Sequence, residues 1–569
     1  MPKLKAVERL ASRAATTVPP CTAACPVNTN AREYVLLTGE GRFDEAYLAA
    51  RGPNAFASVC GHACSAPCED VCTRAEFDRP VRIRQLKRFL TDRFVARDVA
   101  SQRPQPTGLS VAVVGAGPAG LAAAQDLALL GHRVTVFEAA AEPGGTALLG
   151  VPRFRLSKKA IRRDVDAVVA LGVEIRTNTR VGRDVTLEAL RDEFDAVLIA
   201  AGAMRPNDLS VPGVELDGVV QALDFLEVAN LGGTPACGDR VAVIGGGYTA
   251  MDAARTAIRL GASQVTVLYR RTRRETEVHD EELEETLREG VRIQYLVSPL
   301  GIVDDGTGHV AAIECIRNQL GDPDASGRPR PVPVPGTEFA FPCDMVILAL
   351  GQWPDTQSID PAFGDALREV DPETRMTRAP GIFGCGDFIT GPTTIIEAVA
   401  EGRAAAASIH RYLHDQFAPG GDWPSAPHDW PFIATRLATN GQNGSHAASL
   451  LGIDEPPRLP LGLETEVEIG FSERAAMAEG LRCLYCGLMP EVNLGACTAC
   501  HACVVVCPAD AIARVAVDEH GNPRPLTGER DVLGYVVDQD ACIRCGRCFG
   551  ACPTDAIHAI DIPWASRPG

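Results

Sequence analysis

Two runs of cysteine near the C-terminus carry the strongest chemical signal in the sequence. Each run has the spacing C-x2-C-x2-C-x3-C-P, which is typical of bacterial ferredoxins that hold two 4Fe–4S clusters and in which the fourth cysteine of each run binds the other cluster. A pair of zinc ribbons is the alternative, but this close spacing fits a cubane better. The predicted ligands are Cys497, Cys500, Cys503 and Cys552 for one cluster, and Cys507, Cys542, Cys545 and Cys548 for the other.

A second group of cysteines lies near the N-terminus and is less regularly spaced. The N-terminal stretch lacks the apolar core of a secretory signal, so we expect a cytoplasmic protein whose clustered thiols bind metal rather than form disulfides. A further pair, Cys483 and Cys486, belongs to neither ferredoxin run. The N-terminal group is Cys21, Cys25, Cys60, Cys64, Cys68 and Cys72.

A glycine-rich turn follows the apolar run 111–114 and predicts a dinucleotide site. Gly115 forms the tight turn, Gly117 lets a pyrophosphate approach the backbone, and Gly120 packs helix against strand. Glu138 ends the next strand, where a carboxylate meets a ribose hydroxyl. A glycine-rich turn without a ligand is the alternative. The predicted cofactor-binding residues here are Gly115, Gly117, Pro118, Ala119, Gly120, Glu138 and Gly145.

A near-copy of this unit begins at residue 241, so we expect a second nucleotide site. Tyr269 replaces the acidic residue at the end of its second strand, and several arginines follow. A guanidinium there suits the 2′-phosphate of NADP and favours NADPH over NADH, although a solvated basic face is the alternative. The predicted residues are Gly245, Gly247, Tyr248, Thr249, Ala250, Arg270 and Arg271.

A third segment, GIFGCGDFITGPTTIIEAVAEG, supports a flavin. It resembles the segment with which flavoproteins of two dinucleotide-binding folds hold the FAD ribityl chain, here at Gly386 and Asp387. A helix starting near Thr393 would direct its positive end at the flavin ring, and Thr394 is a further predicted cofactor-binding residue. No Cys-x-x-Cys lies beside the flavin segments, so a redox-active disulfide is disfavoured, and Cys385 is expected to be a core residue.

These motifs need a multidomain framework, and 569 residues are enough for about four domains. Strands alternating with helices over residues 108–415 predict two doubly wound α/β domains, the NAD(P) domain inserted in the FAD domain. A helical iron–sulfur domain precedes them, and an α+β ferredoxin domain follows. The predicted boundaries are 1–102 for the iron–sulfur domain, 108–230 and 345–415 for the FAD domain, 231–344 for the NAD(P) domain, 416–475 for a linker and 476–569 for the ferredoxin domain with the extra cysteine pair.

Charge and hydropathy exclude several partners. The net charge is −18 and aromatic residues make up 5%, which argues against nucleic acid and anionic membranes. No run of about 18 apolar residues occurs, so no membrane span is expected.

Residues 1–415 resemble the β subunit of glutamate synthase and the N-terminal half of dihydropyrimidine dehydrogenase. The shared motifs include C-x3-C-P, the PVRIRQLKRF helix, GAGPAG, GVPRFRLSK, GGGYTAMDAAR and CGDFITGPTTIIEAVAEG. The resemblance implies FAD reduced by NADPH, one or two N-terminal 4Fe–4S clusters, and electrons leaving through iron–sulfur centres. Neither a pyrimidine-reducing barrel nor an amidotransferase domain is expected in these residues, so the pyrimidine reductase activity does not carry over. Tyr248 stands where relatives usually have Asp.

The family normally has an R-C-L-x-C pair before C-x3-C-P, and this pair binds the first cluster. Here that stretch has no cysteine, whereas RC483LYC486 occurs near the other end of the chain. We therefore expect Cys483 and Cys486 to fold back and complete a cluster with Cys21 and Cys72. For the second cluster the family's Gln or Glu ligand falls on Lys87, which cannot bind iron, so Cys60 would join Cys25, Cys64 and Cys68. Spare thiols or a lone zinc site are the alternative for the pair.

The predicted function is an NAD(P)H-dependent iron–sulfur flavoprotein that exchanges electrons with ferredoxin or a partner redox subunit, within a hetero-oligomer. A flavin converts hydride transfer to single-electron transfer, so no catalytic side chain is expected. An electron-conduit subunit without NAD(P)H turnover, as in a 2-oxoacid oxidoreductase or glutamate synthase complex, is the alternative. Flavin-based bifurcation is a third possibility that the sequence does not test.

Overall fold

The structure is a computed structural model that describes residues 19–76, 78–93, 105–324, 327–417, 462–468, 470–483, 488–507, 510–518, 522–526, 531–538, 541–542, 548 and 551–561. None of the described helices combines the length and hydropathy needed to cross a bilayer. Two parallel α/β sheets form its centre, with a helical domain at one end of the chain and a small α+β unit at the other.

The N-terminal domain is helical, as predicted, and its cysteines lie within or next to short helices. Gly41 adopts a positive φ of 77° between the helices Ala31–Gly39 and Phe43–Arg51. Asp164 of the first α/β domain accepts hydrogen bonds from the Ser58 and Val59 amides at 3.2 and 2.9 Å, which fixes the helix carrying Cys60 to that domain. The helices are Pro20–Ala23, Ala31–Gly39, Phe43–Arg51, Ala57–Ala63, Pro67–Asp70 and Ile83–Arg93, with a 3-10 turn at Thr73–Glu76.

The first α/β domain has a five-stranded parallel sheet. Its β-branched strands are buried on both faces because helices cover both sides of a parallel sheet. Gly115 begins the crossover with a φ of 105°, and a Cβ there would lie 2.5 Å from the Ala200 carbonyl oxygen. In spatial order the strands are Ile382–Gly384, Ala196–Ile199, Ser110–Val114, Arg133–Phe137 and Glu174–Arg176. The main helices are Pro118–Leu129, Thr146–Leu149, Lys158–Ala170, Leu187–Glu193, Asp387–Thr390 and Ile395–Phe417.

The second α/β domain repeats this plan and adds an antiparallel sheet. Its parallel strands, in spatial order, are Val219–Gln221, Met345–Leu348, Arg240–Ile244, Gln264–Tyr269 and Arg292–Tyr295. Its helices are Ala222–Asn230, Tyr248–Arg259 and Asp280–Arg288. The antiparallel strands are Val297–Asp304, Val310–Pro323, Pro329–Pro333 and Phe339–Pro342, and a short pair, Arg205–Pro206 with Gln352–Trp353, joins the connections between the two domains.

The predicted boundaries between these two domains are wrong at both ends. Strands Val219–Gln221 and Met345–Leu348, which the prediction assigned to the FAD domain, both belong to the second sheet. Met345–Leu348 is fully buried and pairs in parallel with Val241–Ile244, so this apolar run completes the centre of the nucleotide sheet.

The predicted linker at 416–475 also differs from the structure at its C-terminal end. Residues 418–461 lie outside the described residues. Residues 462–468 cross the chain's own surface in close contact with it: the Arg259 guanidinium donates to the Gly462 and Thr465 carbonyl oxygens at 2.8 and 3.0 Å. The helix Glu473–Gly480 packs on Ala31–Gly39 of the N-terminal domain because Ala476 is fully buried there. We call residues 462–483, as far as described, the C-terminal strap.

The C-terminal unit follows the strap. It contains a three-stranded antiparallel sheet and a separate pair of antiparallel strands that joins its two ends. The sheet consists, in spatial order, of Pro523–Arg524, Ile512–Val517 and Val532–Val537. The pair is Leu488–Val492 with Ile557–Asp561, and a short helix spans Ala502–Val505.

Candidate redox site

One continuous cavity of about 840 Å³ joins the two glycine-rich turns. This volume lies toward the upper end of the range of small-molecule and cofactor sites in proteins. The cavity also reaches the N-terminal domain, where Cys64, Ser65 and Ala66 form part of its wall. Of the predicted nucleotide-binding residues, those on the wall are Gly115, Gly117, Pro118, Ala119, Glu138, Gly145, Tyr248, Thr249, Asp387 and Thr394.

The first turn is shaped for a ligand that approaches the backbone closely. A Cβ on Gly145 would lie 2.7 Å from the Gly117 Cα, so both glycines keep the turn open to the cavity. No described side chain caps the helix Pro118–Leu129, which leaves its first amides for a pyrophosphate. The Glu138 carboxylate accepts hydrogen bonds from the Ala116 and Ala140 amides, both at 2.7 Å, which fixes it at the cavity wall.

The opposite wall is formed by the segment after Gly386, which has a φ of 64°. The Asp387 carboxylate accepts hydrogen bonds from the Thr393 hydroxyl at 2.7 Å and the Thr393 amide at 3.1 Å. Burial raises the pKa of Asp387. Thr394 and Glu397 form a capping box at the start of the helix Ile395–Phe417, and this end of the helix lies at the cavity. Cys385 is fully buried, as expected for a core residue.

The second turn presents Tyr248 and Thr249 to the same cavity. The Tyr248 hydroxyl accepts a hydrogen bond from the His279 amide at 3.2 Å. Arg155 lies 5.7 Å from the Tyr248 ring and donates to both Asp252 carboxylate oxygens at 2.7 and 2.8 Å. Burial raises the pKa of Asp252 to about 6. The aromatic ring of Tyr248 therefore lies at the cavity wall, at the start of the helix Tyr248–Arg259.

The two predicted arginines behave differently. Arg271 is buried and donates to Asp324 at 2.5 Å and to the Pro329 carbonyl oxygen at 2.9 Å, so its guanidinium is held within the domain. Arg270 is exposed, and no described carboxylate forms an ion pair with it. Partial desolvation, followed by the charge of Arg271, lowers the pKa of Arg270. An arginine in a local excess of positive charge suits an anionic group such as a phosphate.

Several predicted residues support the turns without lining the cavity. A Cβ on Gly120 would lie 2.0 Å from the Gly115 carbonyl oxygen, so only glycine fits where this helix contacts the turn after the strand. A Cβ on Gly245 would lie 2.4 Å from the Ala349 carbonyl oxygen, the equivalent contact of the second turn. Gly247 precedes the helix Tyr248–Arg259, whose residue Ala250 is fully buried.

Four N-terminal cysteines surround a buried lysine. Burial lowers the pKa of Lys87, but the charges of nearby cysteines outweigh it and the pKa is raised overall. The hydrogen bond from Cys60 first, and then the Lys87 ammonium, lower the pKa of Cys64 to about 6. The Cys64 sulfur also accepts a hydrogen bond from the Ala66 amide at 3.3 Å. The cysteines around Lys87 are Cys25, Cys60, Cys64 and Cys68, the set predicted for the second cluster.

A second small pocket brings Cys21, Cys72 and Cys483 together. The Cys72 sulfur accepts a hydrogen bond from the Val81 amide at 3.5 Å. Tyr34, on the helix Ala31–Gly39, packs in the same apolar cluster as these cysteines, and burial first, then the charges of Cys68, Cys25 and Cys21, raise the pKa of its phenol. Cys486, the other half of the predicted pair, lies outside the described residues.

The C-terminal unit places a further four cysteines around one pocket. These are Cys497, Cys500, Cys503 and Cys552, the set predicted for one ferredoxin cluster. Cys507, Cys542 and Cys548 share the small core of this unit, and Cys545 lies outside the described residues. The two halves repeat one local geometry, since the Ala511 amide donates to the Cys507 sulfur at 3.3 Å and the Ala556 amide donates to the Cys552 sulfur at 3.2 Å.

These donor sets fit cubane clusters. Within the described residues, no three His, Cys, Asp or Glu side chains lie close enough to hold one metal ion together. A cubane does not require such closeness because each thiolate binds a different iron. Backbone amides that donate to the sulfurs would tune the reduction potential of such a cluster.

The sequence excluded Lys87 as a ligand but did not predict that its ammonium lies among four cysteines. It also did not predict that the C-terminal strap packs on the N-terminal domain. Arg84 donates to the two Glu468 oxygens at 2.5 and 3.1 Å, and both residues line the large cavity between the cysteine group and the nucleotide domain. The signal available was the basic helix PVRIRQLKRF, whose charges need acidic partners when one face is buried.

Three family comparisons agree with this geometry. Residues 109–402 match the family described as pyridine nucleotide-disulphide oxidoreductase. Residues 3–99 match domain II of dihydropyrimidine dehydrogenase, described as a 4Fe-4S cluster domain, and residues 496–556 match a 4Fe-4S dicluster domain. The resemblance seen in the sequence is confirmed.

Characterised relatives extend these matches. The chain is 40% identical over 423 residues to the NADP(+)-dependent formate dehydrogenase subunit beta of Moorella thermoacetica, covering 69% of this chain and 60% of that protein. It is 35% identical over 509 residues to the NADPH-Fe(3+) oxidoreductase subunit beta of Geobacter sulfurreducens, covering 82% of this chain and 75% of that subunit. It is 37% identical over 422 residues to the glutamate synthase [NADPH] small chain of Azospirillum brasilense, covering 69% and 86%.

Proposed function

Because the chain belongs to the pyridine nucleotide-disulphide oxidoreductase family, we propose that it moves electrons from NADPH through FAD and 4Fe–4S clusters to a partner redox subunit or a ferredoxin. The observation that carries this proposal is the cavity that is lined by the first glycine-rich turn, by Tyr248 and Thr249 of the second, and by Cys64. Hydride donor, flavin and the cluster predicted for Cys25, Cys60, Cys64 and Cys68 would then share one continuous space.

When bound, a flavin accepts two electrons as a hydride and releases them singly to clusters. The residues of this chain would hold and orient the groups. The amides at the start of the helix Pro118–Leu129 and the Asp387 segment fit the flavin side. Tyr248, Thr249 and the start of the helix Tyr248–Arg259 fit the nicotinamide side. Arg270 would contact the 2′-phosphate and select NADP over NAD.

A partner subunit is the expected electron acceptor. The three relatives described above are named as subunits or chains of larger enzymes, which supports a role within a hetero-oligomer. The ferredoxin unit offers electrons an exit close to the surface, since Cys500 is exposed. A cytoplasmic location remains a prediction from the sequence.

Steady-state dye reduction by the isolated, flavin-replete chain tests this proposal. We expect turnover with NADPH at a higher kcat/KM than with NADH. Absence of turnover with both nucleotides would favour the alternative, an electron-conduit subunit without nucleotide oxidation of its own.

A further inference from the structure

The pocket that contains Cys483 is assembled from parts of the chain that are far apart in sequence. Cys21 lies on the helix Pro20–Ala23, Cys72 directly precedes a 3-10 turn, and Cys483 ends the C-terminal strap. Arg482, beside Cys483, is 408 residues from Arg74 in sequence, yet the Arg74 guanidinium donates to the Arg482 carbonyl oxygen at 3.2 Å. Three sulfurs from three segments therefore meet at one pocket.

Arg482 holds Cys483 in this position through a buried network. Its guanidinium, only 5% exposed, donates to the Asp78 carboxylate at 2.8 Å and to the Arg79 carbonyl oxygen at 2.7 Å. The Glu479 carboxylate accepts from the Arg82 amide at 2.9 Å and pairs with Arg482. These bonds connect the strap to residues 78–82, which follow Cys72 and the 3-10 turn in the chain. Because removing one partner of the buried Arg482–Glu479 pair is costly, the strap belongs to the N-terminal domain as a structural part.

The rest of the strap forms further contacts with the same domain, of which the ion pair of Glu473 is exposed. Glu468 accepts from Arg84, as described above, and its backbone carbonyl oxygen accepts from Arg88 at 2.8 Å. Glu473 pairs with Arg93 at 2.6 Å. The strap thus runs along the basic helix Ile83–Arg93 and ends with Cys483 at the cysteine pocket.

We propose that Cys483 is a ligand of an iron–sulfur cluster that it shares with Cys21 and Cys72, so that the C-terminal strap completes a cluster of the N-terminal domain. This inference rests on the proposed electron-transfer function. The first strand of the ferredoxin unit starts at Leu488, five residues after Cys483. An extended chain of five residues spans at most about 18 Å, which limits the distance between Cys483 and that strand. The shared cluster would therefore lie next to the ferredoxin unit.

The first test measures iron and acid-labile sulfide per chain in full-length protein prepared without oxygen. Relative to wild type, Cys483→Ala should lose about four irons and four sulfides and one iron–sulfur signal in the electron paramagnetic resonance spectrum of the dithionite-reduced protein. The matched control is Cys237→Ala, at a half-buried cysteine of the nucleotide domain, and it should keep the wild-type content. Unchanged iron and an unchanged spectrum in Cys483→Ala would overturn the proposal.

The second test uses wild-type protein, so it does not depend on the folding of a variant. Iodoacetamide labelling followed by peptide mass spectrometry should find Cys21, Cys72 and Cys483 protected in the cluster-replete protein and labelled together once a chelator removes the iron. Cys237 should react equally in both states. Equal labelling of Cys483 in both states would contradict the proposal. Both tests are read without nucleotide, so they can fail while NADPH turnover, the test of the proposed function, succeeds.

Discussion

Gly480 of the C-terminal strap packs directly on Gly39 of the N-terminal domain. A Cβ on Gly480 would lie 2.5 Å from the Gly39 nitrogen and 2.6 Å from the Val35 carbonyl oxygen. Backbone atoms cannot give way as a flexible side chain can. This contact therefore sets how closely the helix Glu473–Gly480 approaches the domain, and with it the position of Cys483.

Gly480→Ala should displace the strap. We expect a loss of about 1–3 kcal/mol of stability and a lower iron content without removal of any sulfur. Gly470→Ala is the control, because a Cβ there would meet only the Arg88 Nε at 3.8 Å. Thermal unfolding and iron analysis of both variants check this prediction. Equal stability and equal iron content in the two variants would show that the close contact of Gly480 with Gly39 is not needed for cluster assembly.

The cluster spacing and the two nucleotide turns were predictable from sequence because both are local patterns. The ferredoxin residues Cys497 and Cys552 line one pocket, as the crossed pattern predicts. The domain boundary near Met345 was not predictable in the same way, since a buried parallel strand has no polar alternation to show which sheet it joins. The packing of Glu468 on Arg84 depends on a contact between distant segments, which no local pattern encodes.

Arg270→Ala should lower kcat/KM for NADPH but not for NADH. Loss of one charge-assisted hydrogen bond costs about 1.5–3 kcal/mol, so kcat/KM for NADPH should fall ~10-fold or more. The value for NADH should change little, because NADH lacks the 2′-phosphate. Arg183→Ala, an exposed arginine of the flavin domain that pairs with Asp184 at 2.8 Å, serves as the control. A parallel fall for both nucleotides would place Arg270 away from the 2′-phosphate.

Nucleotide binding should depend on pH through Glu285, which lines the cavity. Burial first, and then the charges of Glu282 and Glu468, raise its pKa to about 7 despite the opposing charge of Arg255. The side chain is therefore neutral below pH 7 and gains a negative charge above it, which repels phosphates. KM for NADPH should rise between pH 6 and 8.

Glu285→Gln should flatten this rise, whereas Glu284→Gln should keep it. Glu284 lies on the same helix but is exposed and pairs with Arg288 at 2.8 Å. The same pKa shift predicts that Glu285 destabilises the fold as pH rises from 4.5 through 7, because its folded-state pKa exceeds the unfolded value. A KM profile that is identical in wild type and Glu285→Gln would remove Glu285 from the binding site.

Lys87→Met should lower the midpoint potential of the cluster proposed for Cys25, Cys60, Cys64 and Cys68. A buried positive charge beside the ligands favours the reduced, more negative cluster, and methionine retains the shape of the side chain without the charge. Lys159→Met removes an exposed charge in the flavin domain and should leave the potential unchanged. Potentiometric titration followed by electron paramagnetic resonance measures both. An unchanged midpoint potential in Lys87→Met would show that the Lys87 charge does not act on the cluster.

Anaerobic titration of the complete, flavin-replete protein with NADPH tests the central claim most directly. Flavin absorbance and the electron paramagnetic resonance of reduced iron–sulfur clusters are followed in the same samples. We predict that NADPH bleaches the flavin and that cluster signals then appear in the same chain. A flavin that stays oxidised with excess NADPH and with excess NADH, while dithionite reduces it, would contradict the account.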